Sequence, residues 1–238
     1  MACKKIMNTE NLAIIVGGTG SIGSAIADEI KNLGFRDIIK IGTKTNPFID
    51  FNDENSIQQT VDFIKNKKKP ISILFDATGI LHDKNNNKMP EKTFKNIDLD
   101  FAKKNFLINT IGPSLLIKYF SPLLDSEQRS VFATLSAKVG SISDNGYGGW
   151  YSYRASKAAL NQLIKTASIE MKIKNKNAIF VALHPGTVDS DLSKPFQKSN
   201  LKIQTPRESA INLIKIIKNL KQAETGKFFN WDGLELPW

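Results

Sequence analysis

The sequence predicts an α/β protein: one domain over residues 1–238, built on a doubly wound parallel sheet with helices on both faces. Three observations carry this. Short apolar runs alternate along the chain with segments whose apolar residues recur at helical spacing, the order expected of parallel strands joined by crossover helices. A glycine-rich turn, Gly17-Gly18-Thr19-Gly20-Ser21-Ile22-Gly23, separates the first such run from the first helical segment. Finally, 238 residues with 41% hydrophobic and 24% charged side chains suit a packed core and exclude a disordered or collagen-like chain.

Element by element, residues 11–16 (NLAIIV) read as a buried strand. Residues 21–33 place Ile22, Ala25, Ile26, Ile30 and Leu33 on one helical face, and Gly34 closes that helix. Residues 37–41 form a second strand. Residues 56–65 form a helix with Ile57, Val61 and Ile64 inward, and residues 71–75 a third strand before a polar loop through Asn85-Asn86-Asn87. Residues 99–120 are helical with a boundary or kink at Pro113, because proline lacks an N–H and clashes with the preceding turn. Strand 131–135, a Gly/Ser-rich loop at 140–149, helix 151–172, strand 178–183, helix 208–220 and a last strand near 227–230 complete the series. The chain divides near residue 135 into an N-terminal half, about 1–135, and a C-terminal half, about 136–238.

Composition narrows the function classes. Cys3 is the only cysteine, so no disulfide forms within the chain, which suits a reducing compartment. No apolar run approaches the ~20 residues of a membrane helix. Lys4 and Lys5 precede an apolar stretch, 13–16, too short for a signal-peptide core, so the expectation is a cytoplasmic protein. The net charge of +10 comes almost wholly from scattered lysines. Arginine forks that read phosphates and bases are scarce, so nucleic acid is not expected as a partner, whereas an anionic cofactor is.

Two further features lie where such a sheet places its chemistry. Tyr153 and Lys157, four residues apart on a helix, share a face, and a cation beside a phenol stabilises its phenolate. By itself the pair could equally be a solvated helix face. Ser136 follows the strand at 131–135, and ligands of these sheets bind beyond the carboxyl ends of strands, although serine there is also a common turn former. His82 and His184 read as a loop residue and a structural hydrogen-bonding residue. No metal-ligand spacing is present, so no metal is expected. Trp150, Tyr147 and Phe196 could wall an apolar pocket or pack loops or a subunit contact.

Together these residues resemble the short-chain dehydrogenase/reductase family, with its Rossmann-type fold, over nearly the whole chain. The resemblance rests on the glycine turn, Asp50-Phe51, Gly79, Asn109-Thr-Ile-Gly112, Tyr153 to Lys157, and His184-Pro-Gly-Thr-Val188. The stretches 140–145 and 149–154 are most similar to the C-factor-like and carbonyl-reductase-like branch. The resemblance implies an NAD(P)-dependent oxidoreductase interconverting a carbonyl and an alcohol. Tyr153 would be the general acid/base, and Lys157 would bind ribose and lower the phenol's pKa. Asn109 would hold a relay water, and Ser136 would hold the carbonyl oxygen. Gly17, Gly20, Ser21, Ile22 and Gly23 would line the pyrophosphate, and Asp50 and Phe51 the adenine. Ala77, Thr78 and Gly79 would also contact the cofactor, and Pro185, Gly186, Thr187 and Val188 the nicotinamide. The family also implies a homodimer or homotetramer.

Two departures from the family pattern stand out. Ser21 replaces the middle glycine of the turn, a small change that still admits a phosphate. Counting back from Tyr153, the branch's serine position falls on Ala137, so Ser136 serves only if the loop shifts, with Ser141 as the fallback. The competing reading is a dinucleotide-binding signalling protein of C-factor type without turnover. NADP is expected over NAD: no acidic residue lies between Asp37 and Asp50 to hold a ribose 2′-hydroxyl, while Thr43 and Lys44 suit a 2′-phosphate.

Overall fold

The structure, a computed structural model, describes residues 7–197 and 202–238. Cys3, Lys4 and Lys5 lie outside them. The predicted alternation is present: β1 (Leu12–Val16), α1 (Ser21–Asn32), β2 (Asp37–Ile41), α2 (Glu54–Lys65), β3 (Ile71–Asp76), α3 (Leu99–Phe106), α4 (Gly112–Phe120), β4 (Ser130–Leu135), α5 (Tyr151–Lys174), β5 (Ala178–His184), β6 (Thr187–Val188), β7 (Ile203–Gln204), α6 (Pro206–Asn219) and β8 (Lys227–Asn230). Six strands make one sheet in the order β2-β1-β3-β4-β5-β8, every pairing parallel.

Strand alternation divides the core in two. Leu12, Ile14 and Val16 of β1 face a cluster with Ile57 and Val61 of α2, Leu116 and Phe120 of α4, and Leu160 and Ile164 of α5. Ala13 and Ile15 face the opposite cluster, with Ile26 and Ile30 of α1 and Leu213 and Ile217 of α6. Each fully buried Ile, Leu or Phe contributes ~1.5–3 kcal/mol, which is why both faces of the strands read as continuous apolar runs. From β1 the chain runs outward to β2 and then returns to β3 on the other side. The crevice at the carboxyl ends of β1 and β3 is therefore the switch point where such sheets bind ligands.

Three local departures from the sequence reading have identifiable causes. The break in the 99–120 helix comes before Pro113: Leu107–Ile111 form a π-helical turn, and Pro113 follows it as the second residue of α4. Helix α6 starts at Pro206 rather than 208, because Thr205 and Glu208 form a capping box (Glu208 N–H to Thr205 Oγ1 3.1 Å, Thr205 N–H to Glu208 Oε2 2.8 Å). The short pair β6 and β7, with Thr187 opposite Ile203, has no period-2 signal long enough to predict.

Candidate active site

A cavity of about 290 Å³ opens at the switch point and is lined by Gly20 to Gly23, Ala77 to Gly79, Leu135, Ser136, Tyr153, Lys157 and Pro185, with Ser190 to Leu192 along its rim. The glycine turn lies at its base. Gly17 N–H donates to Ile41 O at 2.7 Å, and Gly17 takes φ +73°, which an L side chain rarely adopts. A Cβ on Gly23 would sit 2.2 Å from Gly17 O, so the turn and α1 pack backbone to backbone. Gly20 offers no side-chain cap to α1, and the first turn holds no acidic residue. The amides of Ser21, Ile22 and Gly23 are thus the free donors of a helix N-terminus, in residues that line the cavity. That donor set fits an anionic pyrophosphate.

Opposite the turn, α5 delivers Tyr153 and Lys157. Both are buried, and Lys157 Nζ donates to Leu135 O at 2.8 Å. Burial lowers the ammonium to about 8, opposed by the charge of Asp76. Asp76 was not singled out from the sequence, although a carboxylate ending the apolar run ISILFD is itself a signal. It is fully buried and accepts hydrogen bonds from Thr78 N–H (3.0 Å), Thr78 Oγ1 (2.6 Å) and Thr134 Oγ1 (2.7 Å). Burial raises its pKa despite these bonds. The phenol of Tyr153 departs from expectation. Desolvation pushes its pKa up, because Tyr153 sits in an apolar cluster with Leu81 and Ala137, beside Val139, Trp150, Leu192 and Phe196. Trp150 meets Tyr153 edge-on at 6.2 Å and Phe196 at 5.1 Å, so two of the three predicted wall aromatics flank the phenol. Tyr147 instead projects into solvent, 99% exposed.

The serines divide by strand geometry. Ser136 continues the alternation of β4, on the face of Phe132 and Thr134, and donates its hydroxyl to Asn161 Oδ1 on α5 at 2.6 Å. Ala137, one residue on, packs against Tyr153. Ser141 lies outside the cavity lining and donates to Trp238 O at 3.1 Å. Asn109, in the π-helical turn, joins two elements. Its Oδ1 accepts from Ile80 N–H at 2.9 Å, and its Nδ2 donates to Ile80 O at 2.9 Å and Ser156 Oγ at 3.1 Å.

Several other predicted residues do not line the cavity. Thr43 and Lys44 are exposed in the loop after β2. Asp50 accepts from the backbone and side-chain amides of Asn52, which hold its carboxyl below the ordinary range. The Phe51 ring lies against Gly112, where a Cβ would fall 2.2 Å from it. Of 185–188 only Pro185 reaches the lining, and Gly186 is packed against Gln204 and Trp231. His82 Nε2 lies 3.0 Å from Asp191 O. His184, expected to make a structural hydrogen bond, has a buried Nδ1 without a partner among the described residues, and burial lowers its pKa to about 4. A separate cavity of about 210 Å³ between α6 and residues 229–233 holds none of the predicted residues. Among the described residues no group of His, Cys, Asp and Glu could hold a metal, and no helix is long and apolar enough to cross a membrane.

Residues 11–201 match the family model described as short chain dehydrogenase. The chain is 28% identical over 235 residues to 1-hydroxy-2-glutathionyl-2-methyl-3-butene dehydrogenase of Rhodococcus sp. (strain AD45), covering 94% of this chain and 98% of that protein. It is 32% identical over 143 residues to the C-signal of Myxococcus xanthus, covering 59% of this chain and 82% of that protein. Its fold is shared with NADPH-bound carbonyl reductase from chicken fatty liver, with TM-score 0.84, 22% identity, and coverage of 99% and 97%.

Proposed function

Because the chain belongs to the short-chain dehydrogenase family, we propose that it is an NADP-preferring oxidoreductase that interconverts a carbonyl and an alcohol, with Tyr153 as general acid/base. One observation carries the reading: a single cavity holds both the uncapped N-terminus of α1 and the Tyr153–Lys157 pair. A reduced nicotinamide, when bound, supplies the hydride. In that direction Tyr153 Oη gives its proton to the carbonyl oxygen as the carbon is reduced. Desolvation keeps the phenol protonated beforehand, which suits an acid. Lys157, held by Leu135 O, stabilises the phenolate left behind and hydrogen-bonds ribose hydroxyls. Asn109 orients a water that returns the proton. Ser136 lines the same cavity and would hold the carbonyl oxygen by giving up its hydrogen bond to Asn161 Oδ1, while Ala137 packs beside the phenol. The 2′-phosphate falls to Thr43 and Lys44, and the working form is a homodimer or homotetramer.

The absence of a serine hydroxyl at Ala137, with the likeness to a protein named C-signal, favours a second reading: dinucleotide binding without turnover. Titration of NADPH by fluorescence quenching, followed by a panel of aldehydes and ketones, separates the two. Under the proposal Tyr153→Phe lowers turnover by ~10²–10⁴ and leaves NADPH affinity intact. Binding with no turnover on any carbonyl establishes the second reading, and unchanged turnover in the variant refutes the role of Tyr153.

A further inference from the structure

The helix that delivers Tyr153 and Lys157 has no cap of its own. Trp150, which precedes α5, lies at φ 54°, ψ 44° and contributes no side-chain cap, and the first turn has no acidic residue. Gly148 and Gly149 are also left-handed, at φ 65° and 67°, so three successive residues enter the helix through the αL region. For a non-glycine residue such as Trp150 that conformation costs ~1–3 kcal/mol and persists only where its surroundings enforce it.

The enforcement comes from far away in sequence. Glu91 is 2% exposed, and its whole carboxylate is spent on α5. Oε2 accepts the Ser152 N–H at 3.2 Å, and Oε1 accepts the Ser152 hydroxyl in a short bond. The Glu91 carbonyl accepts the Trp150 N–H. Arg154 adds a second tie, donating from Nε to Gly149 O at 3.0 Å and from Nη1 to Val139 O at 3.2 Å. Glu91 makes no ion pair among the described residues. What offsets its burial is this set of donors and the positive end of a 24-residue helix. The segment that carries it, 82–98, is itself pinned by Asp83 to Lys104 (2.6 Å) and by Lys88 to Asp98 (2.6 Å). Leu81, just before this segment, packs on Tyr153.

We propose that Glu91 is a positioning residue for Tyr153: clamped on Ser152, it sets the first turn of α5, and so the direction of the phenol, relative to the Leu81 wall of the cavity. The proposal rests on the reading of Tyr153 as proton donor. Tyr153 is the residue after Ser152, so a slip of the first turn moves the phenol directly, and ~1 Å of misplacement costs ~10²-fold in rate.

The test compares Glu91→Ala with Glu91→Gln, whose amide still accepts the Ser152 N–H and pairs with its hydroxyl. The readouts are NADPH affinity by fluorescence quenching, kcat with 4-nitrobenzaldehyde or the best carbonyl of the panel, and amide hydrogen exchange over 148–156. The expected result for Glu91→Ala is a kcat loss of ~10²-fold with NADPH affinity within about twofold, and faster exchange at 150–153 but not in α1. Glu91→Gln should recover kcat to within ~10-fold of wild type, and adding Ser152→Ala to Glu91→Ala should cost little more. Unchanged kcat, a kcat loss matched by lost NADPH affinity, a Gln variant no better than Ala, or fully additive losses would each overturn the proposal. If Glu91→Ala does not fold, Ser152→Ala carries the test, with a ~10-fold kcat loss and the same exchange pattern expected and unchanged kcat refuting it. Tyr153→Phe serves as control. If it turns over like wild type, the acid/base reading fails; if it is inactive while Glu91→Ala is fully active, only the clamp fails.

Discussion

Ala137→Ser should make the protein a faster carbonyl reductase. Ala137 has extended backbone (φ −142°, ψ 141°), and its Cβ packs in the cluster with Tyr153 and Leu81. A serine Oγ placed there stands beside the phenol, where the substrate oxygen gains negative charge as hydride arrives. Purpose-built donors to such an oxygen are worth ~10²–10³ in kcat, and an introduced hydroxyl without supporting partners should fall short of that range, at about 10-fold. The same hydroxyl lacks a partner in the free protein, so thermal stability should fall by ~1–2 kcal/mol. Steady-state NADPH oxidation against the panel reads the first effect, and urea unfolding the second. A kcat at or below wild type, with NADPH affinity and fold intact, would refute the placement of the substrate oxygen between Tyr153 and Ala137.

Three further outcomes are expected. Wild type should bind NADPH more tightly than NADH, and Lys44→Glu should weaken NADPH ~10-fold at low salt while sparing NADH; fluorescence titration of both cofactors decides it. Stability should climb between about pH 4 and 6.5, because His184 titrates near 4 in the fold and near 6.5 unfolded, so the unfolded chain binds more protons in that window. The full penalty, ~3 kcal/mol, is present below pH 4, and His184→Gln should flatten the urea-midpoint profile there. Gly23→Ala should abolish NADPH binding or folding, since its Cβ would lie 2.2 Å from Gly17 O, a backbone atom; an intact, cofactor-binding variant would contradict the packing of the turn.

The sheet was legible because burial on both faces writes itself as continuous apolar runs, as in Ala13 to Val16 and Val131 to Leu135. Tyr153, Lys157 and the glycine turn were legible for a different reason: their spacing and flanking elements constrain them locally. What sequence could not show were relations set by the third dimension. The choice between Ser136 and Ala137 depends on which of two neighbouring side chains at a strand end turns to Asn161 and which to Tyr153, and one residue of register reverses it. The phenol's pKa was expected to follow Lys157, yet the apolar walls from residues 81, 150 and 196, distant in sequence, outweigh it. Glu91, a single carboxylate in a polar loop, carries no periodicity, and only its burial shows what it holds.

The π-helical turn at Leu107–Ile111 sets helix quality against site geometry. Removing one residue there, Ile111 for instance, would let α3 run into α4 as ordinary α-helix, with better backbone hydrogen bonds. The same deletion would rotate the preceding residues by about 100° relative to α4. Asn109 would leave the Ile80 peptide and the Ser156 hydroxyl that it now joins. Selection for stability alone would therefore erode this turn, so its persistence over generations would record selection for what Asn109 does. A library scored first for thermostability and then for turnover should split at this one position, with the shortened helices surviving the first screen and failing the second.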